Sequence, residues 1–467
     1  MYEFVKPSNK LLFNLLIGSC SFFQLYGFLA LPDAPSVFFS VLFFICYNRL
    51  IQHQNLSNSI LMALCIAGML YSKYHGLLLI GFTLLSNVKF LKSKYFYLTF
   101  LFSLTLLSPH IYWQFTHSFV AIKFQLVERT QSVYKISYFL SFFLQPIVLF
   151  GLAGPVLFYR LIKYRIANDY ERTLYFNVVG VLFFFLIFSF FRRIEANWTN
   201  IIIGPLIILI YKSLESDFNS VKIYFRWLFL PTYILYIAGL AYFIVDYLPW
   251  EWSRSSEFHN QKLWADQIAK ATQNKPVVFF NSYQLAAKYE FYSGNPALSL
   301  NDYRFRNNQY NFWPIEDSLL GKDVYIIPNW HERSFDSIET VRGTYSFRLV
   351  HNFASFERVR LESIKSSYTF RQGEPGMLNI NLVVPDTLYF RYMKSSNSHI
   401  YYSYYKDGKE IKSILSETAL MNLKTDKPNT LKIELPEEPG KYQLKICTQT
   451  DILQPTMNSS NVEIEIL

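Results

Sequence analysis

Residues 178–211, VVGVLFFFLIFSFFRRIEANWTNIIIGPLIILIY, decide how this chain is organised. Two apolar runs, 178–191 and 201–211, approach the length of a bilayer crossing, and a short polar segment separates them. That segment contains two arginines, a carboxylate, an amide and an indole: Arg192, Arg193, Glu195, Asn197 and Trp198. Such groups are costly at the ends of membrane helices unless they face water, headgroups or a charged ligand. The pattern predicts a membrane enzyme that handles an anionic lipid.

The apolar character is confined to the first half of the chain. Hydrophobic residues make up 51% and aromatic residues 19% of the 467 positions, yet the mean hydropathy is only +0.15, because the two halves differ. Apolar stretches dominate up to about Tyr247, and from Pro249 onward no run is long enough to span a bilayer. We therefore predict a polytopic α-helical membrane domain at 1–250, followed by domains exposed to water.

About nine crossings are predicted in the membrane domain, because apolar runs recur there between short polar breaks. They lie roughly at 11–31, 36–50, 56–71, 75–88, 95–108, 138–159, 174–191, 199–213 and 226–248. The first run is too long for the core of a signal peptide and lacks a small-residue cleavage site. It is therefore expected to remain as an anchor.

Basic residues indicate the orientation of these crossings. Alternate loops carry Lys6 and Lys10; Arg49; Lys89, Lys92 and Lys94; Arg160, Lys163, Arg165 and Arg172; and Lys212, Lys222 and Arg226. Since loops rich in lysine and arginine stay in the cytoplasm, this face is predicted to be cytoplasmic. These loops also account for much of the net charge of +10 without nucleic acid as a partner. The opposite face receives Asp33, the turn 72–75, the loop 108–137, the segment 192–198 and everything after Tyr247.

The polar half divides into two predicted domains. In 251–362, helical patterns at 263–272 and 283–292 alternate with buried strands at 276–280 and 324–328, which indicates a small α/β domain. In 363–467, short strand patterns separated by turns indicate a β-sandwich. Those strand patterns lie at 378–384, 387–392, 399–405, 430–435, 441–447 and 461–467.

A group of tyrosines and the histidines of the chain can each be interpreted either as functional or as structural residues. Tyr401, Tyr402, Tyr404 and Tyr405 suggest an exposed surface that stacks on carbohydrate, but alternation in a sandwich strand gives the same pattern, and we favour the structural interpretation. The histidines of the first half lack the spacing of metal ligands, so no metal site is predicted. The four cysteines, three of them in apolar segments, predict no disulfide framework.

Several motifs in the first 330 residues carry a resemblance to a known family. They are Pro32-Asp33-Ala34-Pro35, Ser72-Lys73-Tyr74, PHIYWQFTH at 109–117, KFQL at 123–126 with Glu128-Arg129, EANW at 195–198 and NQYNFW at 308–313. In this order, and on one predicted membrane face, they resemble bacterial glycosyltransferase family 39. That family contains protein O-mannosyltransferases and lipid A aminoarabinose transferases and belongs to the GT-C superfamily. The resemblance covers roughly residues 10–330 and leaves out the strand-rich C-terminal domain.

The resemblance implies transfer of a sugar from a polyprenyl-phosphate carrier to an acceptor outside the bacterial inner membrane, on its periplasmic face. Cations that also donate hydrogen bonds suit the donor phosphate, which assigns that role to Lys73, Arg192 and Arg193. Asp33 is expected to be a supporting carboxylate. The expected substrate-binding residues are Tyr74, His110, Trp113, His117, Glu195, Asn197 and Trp198. No cofactor is firmly implied, and both the need for a divalent metal and the acceptor (protein, lipid or glycan) stay open.

The chain departs from the family pattern at the first extracytoplasmic loop. In the family, that loop follows an additional N-terminal helix and carries an acidic residue, usually in an Asp-Glu pair, which is the favoured catalytic base. Two crossings and this loop have no counterpart before Asp33. Two explanations are open: a truncated reading of a longer gene, or a catalytically inactive relative that binds lipid-linked sugar or acts as an envelope scaffold. A transporter, which would show inverted repeats and broken helices at mid-membrane, ranks last.

Overall fold

The computed structural model of the chain describes residues 5–24, 26–29, 31–117, 119–126, 135–215, 225–246 and 258–467. It divides into two compact units, Met1–Val245 and Asp246–Leu467. The division falls close to the end of the predicted membrane domain at residue 250.

In its described residues, the first unit consists of helices joined by short non-helical segments and contains no strand. Its most central helix contains the run 203–211, in which every residue is buried, as expected for a helix that is apolar on all sides. The helices are α1 (Lys10–Ser19), α2 (Ser21–Gln24), α3 (Asp33–Gln52), α4 (Leu56–Ser72), α5 (Gly76–Ser86), α6 (Lys94–Thr116), α7 (Val120–Leu126), α8 (Ile136–Phe142), α9 (Gln145–Phe150), α10 (Gly154–Lys163), α11 (Asp169–Ser189), α12 (Ile203–Glu215) and α13 (Leu230–Ile244).

Five segments of this unit are long and apolar enough to cross a bilayer. They are Asp33–Gln52, Gln145–Lys163, Asp169–Ser189, Asn197–Glu215 and Trp227–Ile244. Three shorter apolar helices, α1, α4 and α5, accompany them. These segments make the chain a multi-pass membrane protein. Within the described ranges, however, only five of the nine predicted crossings are both long enough and apolar enough to span a bilayer.

Two predicted crossings are interrupted in the structure. The run 11–31 is not one helix, because Cys20 adopts an extended backbone after α1 and a 3-10 turn at Tyr26–Phe28 follows α2. The run 138–159 is divided among α8, α9 and α10, and Gly151 lies between the last two with φ +57°. A left-handed backbone of this kind suits glycine, which has no Cβ.

The prediction of a loop at 108–137 is wrong for residues 108–116, which are helical. Helix α6 continues to Thr116 although Pro109 lies inside it. Proline has no backbone N–H to donate to the carbonyl of Thr105, one turn earlier. The Ser108 hydroxyl donates to that carbonyl instead, at 2.8 Å, which is a local reason why the helix tolerates the proline. His110 therefore lies on a helix, not in a loop, whereas Glu128 and Arg129 lie outside the described residues.

The second unit begins with an α/β part. Its sheet has the order β2-β1-β3-β5-β4, and the first three strands are parallel. All residues of β1, β2 and β3 are buried, as expected for strands covered on both faces. The elements are α14 (Gln261–Ala271), β1 (Val277–Phe280), α15 (Tyr283–Ser293), β2 (Ala297–Leu300), β3 (Val324–Ile327), β4 (Asp336–Thr340) and β5 (Gly343–Val350).

Two further sheets follow and share one apolar core, the arrangement of a β-sandwich. The larger has the order β10-β9-β12-β14-β7, with β13 beside β12, and the smaller has the order β11-β8-β6. The elements are β6 (Arg360–Ser363), β7 (Ser367–Phe370), β8 (Gly376–Val383), α16 (Thr387–Ser395), β9 (Ser398–Lys406), β10 (Lys409–Ala419), β11 (Asn429–Ile433), β12 (Gly440–Thr450), β13 (Thr456–Met457) and β14 (Val462–Ile466).

One sequence-based expectation for this region is wrong, and the burial of Tyr402 and Tyr404 agrees with the structural interpretation of the tyrosines that we favoured. The predicted strand 387–392 is α16, because the Asp386 carboxylate accepts from the backbone N–H groups of Leu388 (2.8 Å) and Tyr389 (3.0 Å) and so caps a helix. Tyr402 and Tyr404 are not exposed. They are 2% and 0% exposed and belong to the sandwich core.

The apolar cores of the second unit cross the predicted boundary between residues 362 and 363. Leu320 and Phe356 belong to the sandwich core, although they precede that boundary. Leu453 belongs to the α/β core, although it follows the boundary. The α/β part and the sandwich therefore support each other within one unit.

Candidate functional site

Asp33, at the start of α3, links two other predicted site residues, Lys73 and Asn197. The residue is only 4% exposed. Its Oδ1 accepts a hydrogen bond from Lys73 Nζ at 2.8 Å, and its Oδ2 accepts one from Asn197 Nδ2 at 2.9 Å. Because each carboxylate oxygen has a partner, Asp33 fixes the positions of the Lys73 ammonium and the Asn197 amide.

The local sequence explains how these three residues meet. Asp33 occupies the first turn of α3, where the helix dipole favours a carboxylate. Lys73 caps the C-terminus of α4 in an extended conformation, which ends the helix. Asn197 lies in the 3-10 stretch Ala196–Ile202, immediately before α12. Each residue therefore lies at a helix end, where the three polar side chains meet and are joined by the hydrogen bonds of Asp33.

A second group joins Tyr74 to the end of α6. The Tyr74 hydroxyl lies 2.6 Å from His110 Nε2, and Gln114 Nε2 donates to the same hydroxyl at 2.9 Å. An amide nitrogen can only donate, so the Tyr74 oxygen accepts from Gln114, whereas the direction of the hydrogen bond between Tyr74 and His110 depends on the imidazole tautomer.

Gln114 is the site residue that the sequence interpretation missed. It lies within the motif at 109–117 but was not selected there. Its side chain is 3% exposed, and it follows His110 by one helical turn on α6. The spacing of His110 and Gln114 places both on one helix face, but the sequence predicts a loop at 108–137.

Three rings at the end of α6 form a stack. The ring of Trp113 lies parallel to that of His117, with centroids 4.4 Å apart and an interplanar angle of 17°. His110 lies on the same stack at 6.3 Å and 8° from Trp113. Because Trp113 is half-buried in this stack, the three rings are held together as one aromatic surface.

Arg192 and Trp198 form a separate cation–π pair. The guanidinium carbon of Arg192 lies 4.8 Å from the Trp198 ring centroid and 5.3 Å from that of Phe188. Trp198 is 4% exposed and also contacts the ring of His75 at 5.4 Å. The structure therefore places Trp198 within the helical packing, where it supports a half-buried arginine.

The two remaining predicted residues, Arg193 and Glu195, are exposed. They lie with Arg192 on the short segment between α11 and the 3-10 stretch that contains Asn197. The structure thus joins Asp33, Lys73 and Asn197 by hydrogen bonds, and Tyr74 with His110. It places Arg193 and Glu195 on the surface of this segment.

An apolar cavity of about 360 Å³ lies between α3, α4, α5 and α6. Leu70 and Leu77 line it and flank Lys73 along the chain by about one helical turn on each side. Leu107 lines it as well, one turn before His110. The cavity walls are almost entirely apolar, so the space suits a hydrocarbon chain.

A family model described as dolichyl-phosphate-mannose-protein mannosyltransferase matches residues 4–113. The matched range includes Asp33, Lys73, Tyr74, His110 and Trp113. No curated protein matches the chain. Together with the five membrane-spanning segments, the family match supports a membrane glycosyltransferase of the GT-C type.

Proposed function

We propose that this protein transfers a sugar from a polyprenyl-phosphate carrier to an acceptor on the extracytoplasmic side of a bacterial inner membrane. One observation carries the proposal: the buried Asp33 carboxylate holds the Lys73 ammonium and the Asn197 amide in place. The apolar cavity, which Leu70 and Leu77 line on either side of Lys73 in the sequence, supports it. The family match over residues 4–113 supports the same class of donor, since its description names a lipid-phosphate mannose.

The cations of the site suit the donor phosphate. Lys73 keeps 18% of its side chain exposed while Asp33 holds it, so its ammonium can contact a phosphate oxygen. The exposed Arg193 adds a planar fork that can bind two oxygens of the same group. Arg192, held against Trp198, adds a third positive charge to this side of the unit. As the glycosidic bond breaks, these charges stabilise the leaving phosphate.

The other parts of the substrate have candidate positions as well. The cavity at Leu70, Leu77 and Leu107 receives the first part of the polyprenyl chain. The aromatic surface of His110, Trp113 and His117 offers ring faces to the sugar. These three residues, with Tyr74, Glu195, Asn197 and Trp198, form the proposed substrate side of the site.

Asp33 has a supporting role in this proposal. A general base must reach the proton of the acceptor as the acceptor attacks. Asp33 directs one oxygen to Lys73 and the other to Asn197, so its carboxylate already orients two groups. It therefore acts through Lys73 and Asn197 rather than on the acceptor.

A transfer assay in proteoliposomes tests the proposal. The purified chain is supplied with radiolabelled mannosyl polyprenyl phosphate, and transfer to added peptide, lipid and glycan acceptors is measured. We expect Lys73→Ala to lower the transfer rate by about 100-fold, because it removes a charge at the leaving phosphate. Lys89→Ala, which changes an exposed lysine on the predicted cytoplasmic face, is the matched control. Full activity of Lys73→Ala would contradict the phosphate role.

The second candidate function is binding of the lipid-linked sugar without turnover. The two hydrogen bonds of Asp33 favour it, because a carboxylate that positions Lys73 and Asn197 does not serve as the general base for the acceptor. Equilibrium binding of the same labelled donor distinguishes the two. Binding that is lost in Lys73→Ala, with no transfer by the unsubstituted chain, would identify a carrier-binding relative.

A further inference from the structure

A row of polar residues crosses the outer face of the larger sandwich sheet. Glu410, Tyr405, Gln443, Glu463 and Ser367 pair directly with one another on the five neighbouring strands β10, β9, β12, β14 and β7. Their sequence neighbours point to the other face, because Tyr404, Leu444 and Ile464 are buried in the core. The row therefore faces away from the sandwich core.

A second row lies beside the first on the same face. It contains Lys441, Glu465 and Thr369, which also pair directly where β12, β14 and β7 are neighbours. Lys441 Nζ lies 3.6 Å from Glu465 Oε1. The β9–β10 turn contributes Asp407 and Gly408 at the end of the rows. Together with the turn, all residues of the two rows except Glu410 line an open cleft of about 540 Å³, which we call the sandwich cleft.

Neighbouring side chains hold two of the cleft residues in place. Asn461 Nδ2 donates to Gln443 Oε1 at 3.3 Å, which leaves the Gln443 amide nitrogen to donate to a ligand. Lys445 Nζ lies 4.5 Å from the ring centroid of Tyr405, and the Tyr405 hydroxyl donates to Glu410 Oε2 at 3.5 Å. The cleft thus presents an oriented amide and an oriented phenol ring.

The charges of the sandwich cleft restrict its ligand. Asp407, Glu463 and Glu465 face a single lining lysine, Lys441, so the cleft repels phosphate-rich and other acidic polymers. Its lining is mostly polar, unlike a surface that receives a membrane or an apolar peptide. Among the residues that the structure describes, no three His, Cys, Asp or Glu side chains are grouped so as to hold a metal ion.

We infer that the sandwich cleft binds an oligosaccharide that carries no acidic groups. Carboxylates accept hydrogen bonds from sugar hydroxyls, while an amide and hydroxyls both donate and accept. The ring of Tyr405 adds an apolar face and a polar tip, which suits the mixed surface of a pyranose. The cleft volume lies in the range of sites for small ligands. This inference does not depend on sugar transfer by the membrane unit.

Binding of defined hexasaccharides to the full chain in detergent micelles tests the inference. The probes are the neutral hexamers of mannose, β-1,3-glucose and N-acetylglucosamine, with hexagalacturonic acid as the acidic probe. Saturation-transfer NMR detects binding and titration calorimetry gives the dissociation constants. We expect at least one neutral hexamer to bind and hexagalacturonic acid not to bind.

Variants of exposed residues then locate the binding site. Gln443→Ala and Glu463→Ala, whose side chains are exposed and so do not support the core, should each weaken binding by about tenfold or more. Glu417→Ala, an exposed carboxylate of β10 outside the cleft lining, is the matched control. Lys73→Ala, in the membrane unit, should leave this binding unchanged.

Three results would overturn the inference. The first is that no neutral hexamer binds. The second is binding that survives both cleft variants or disappears in Lys73→Ala, since the membrane unit would then be the site. The third is binding of hexagalacturonic acid alone. Only a loss of neutral-glycan binding confined to the cleft variants supports a glycan site on the sandwich.

Discussion

Replacing Glu357 by glutamine is expected to stabilise the second unit increasingly as the pH rises above 5. Glu357 is buried beside the sandwich core and accepts a hydrogen bond from Asn311 Nδ2. Burial, and then the nearby carboxyl of Glu316, raise the pKa of Glu357 from 4.5 to about 8. Glu316 is itself buried and accepts hydrogen bonds from Ser355 and from the Tyr389 hydroxyl (2.7 Å), so it keeps its place beside Glu357.

The sign and size of the effect follow from the two pKa values. The folded state retains the Glu357 proton up to about pH 8, whereas the unfolded chain loses it above about 4.5. The unfolded state therefore binds fewer protons between these values, and the free energy of unfolding falls as the pH rises through this window. At 1.36 kcal/mol per pKa unit, the loss between pH 5 and pH 7 is about 2.5 kcal/mol. Glutamine carries no titrating proton, so Glu357→Gln removes this loss.

Hydrogen exchange measured by mass spectrometry provides the assay. The full chain and Glu357→Gln are exchanged in detergent at pH 5, 6 and 7, and rates of peptides covering 353–363 are converted to opening free energies after correction for intrinsic exchange. Helix α3 of the membrane unit serves as the internal reference. Glu374→Gln removes an exposed carboxylate of the same unit and is the matched control.

The result that would refute this reasoning is a difference between Glu357→Gln and the unsubstituted chain that stays constant from pH 5 to pH 7. In that case the Glu357 carboxyl would titrate alike in the folded and unfolded states, and its burial would carry no cost. A difference that grows by about 2.5 kcal/mol confirms a carboxyl kept neutral by burial.

Two further predictions concern the membrane unit. Gln114→Leu removes the side chain that donates a hydrogen bond to the Tyr74 hydroxyl. It should lower the rate of sugar transfer about tenfold while binding of the lipid-linked sugar stays unchanged. An equal loss of transfer and of binding would contradict a positioning role. Gly151→Ala should destabilise the unit by about 1–3 kcal/mol, since a Cβ would lie 2.4 Å from Thr232 Cγ2 at φ +57°. Thermal unfolding in detergent measures this, with Gly81→Ala, which meets no neighbour within 4 Å, as control. Equal midpoints for the two variants would refute the strain.

The sequence was informative where one physical signal dominates. Apolar length identified the segments around α3, α11 and α12, because the bilayer sets the length that a crossing needs. Short runs such as 277–280 and 324–327 were recognised as buried strands from their β-branched and aromatic residues. In these cases local composition and tertiary environment favour the same structure.

The wrong predictions concern segments in which one side chain determines the local structure against the preference of the average composition. Ser108 supplies the hydrogen bond that Pro109 cannot, so α6 continues where proline usually indicates an end. Asp386 caps α16, and Tyr389 and Met393, one turn apart, bury the same helix face. The aromatic residues of that segment had favoured a strand. Both outcomes depend on the hydrogen bonds of one side chain, which the periodicity of the sequence does not reveal.

The candidate site was predictable as a set of residues but not as an arrangement. The order of the motifs predicted that Asp33, Lys73 and Asn197 belong to one site. Nothing in the sequence indicates that Asp33 contacts Lys73, 40 positions away, or Asn197, 164 positions away. Helix packing produces those contacts, and it also placed Trp198 inside the unit rather than at its surface. Gln114 was missed for the same reason, because its role exists only once α6 is known to continue.

The charges of the site give a reason for the pairing of Asp33 with Lys73. Lys73, Arg192 and Arg193 carry three positive charges, and Asp33 and Glu195 carry two negative ones, so the formal sum is +1. A polyprenyl-phosphate sugar is a phosphodiester with one negative charge, and its binding would bring the sum to zero. Without Asp33 the site would carry +2, and Lys73 would lose the partner that fixes its position. Under the proposed function, the carboxylate would therefore match the charge of the site to one phosphodiester and, in the same contact, orient the ammonium that binds it.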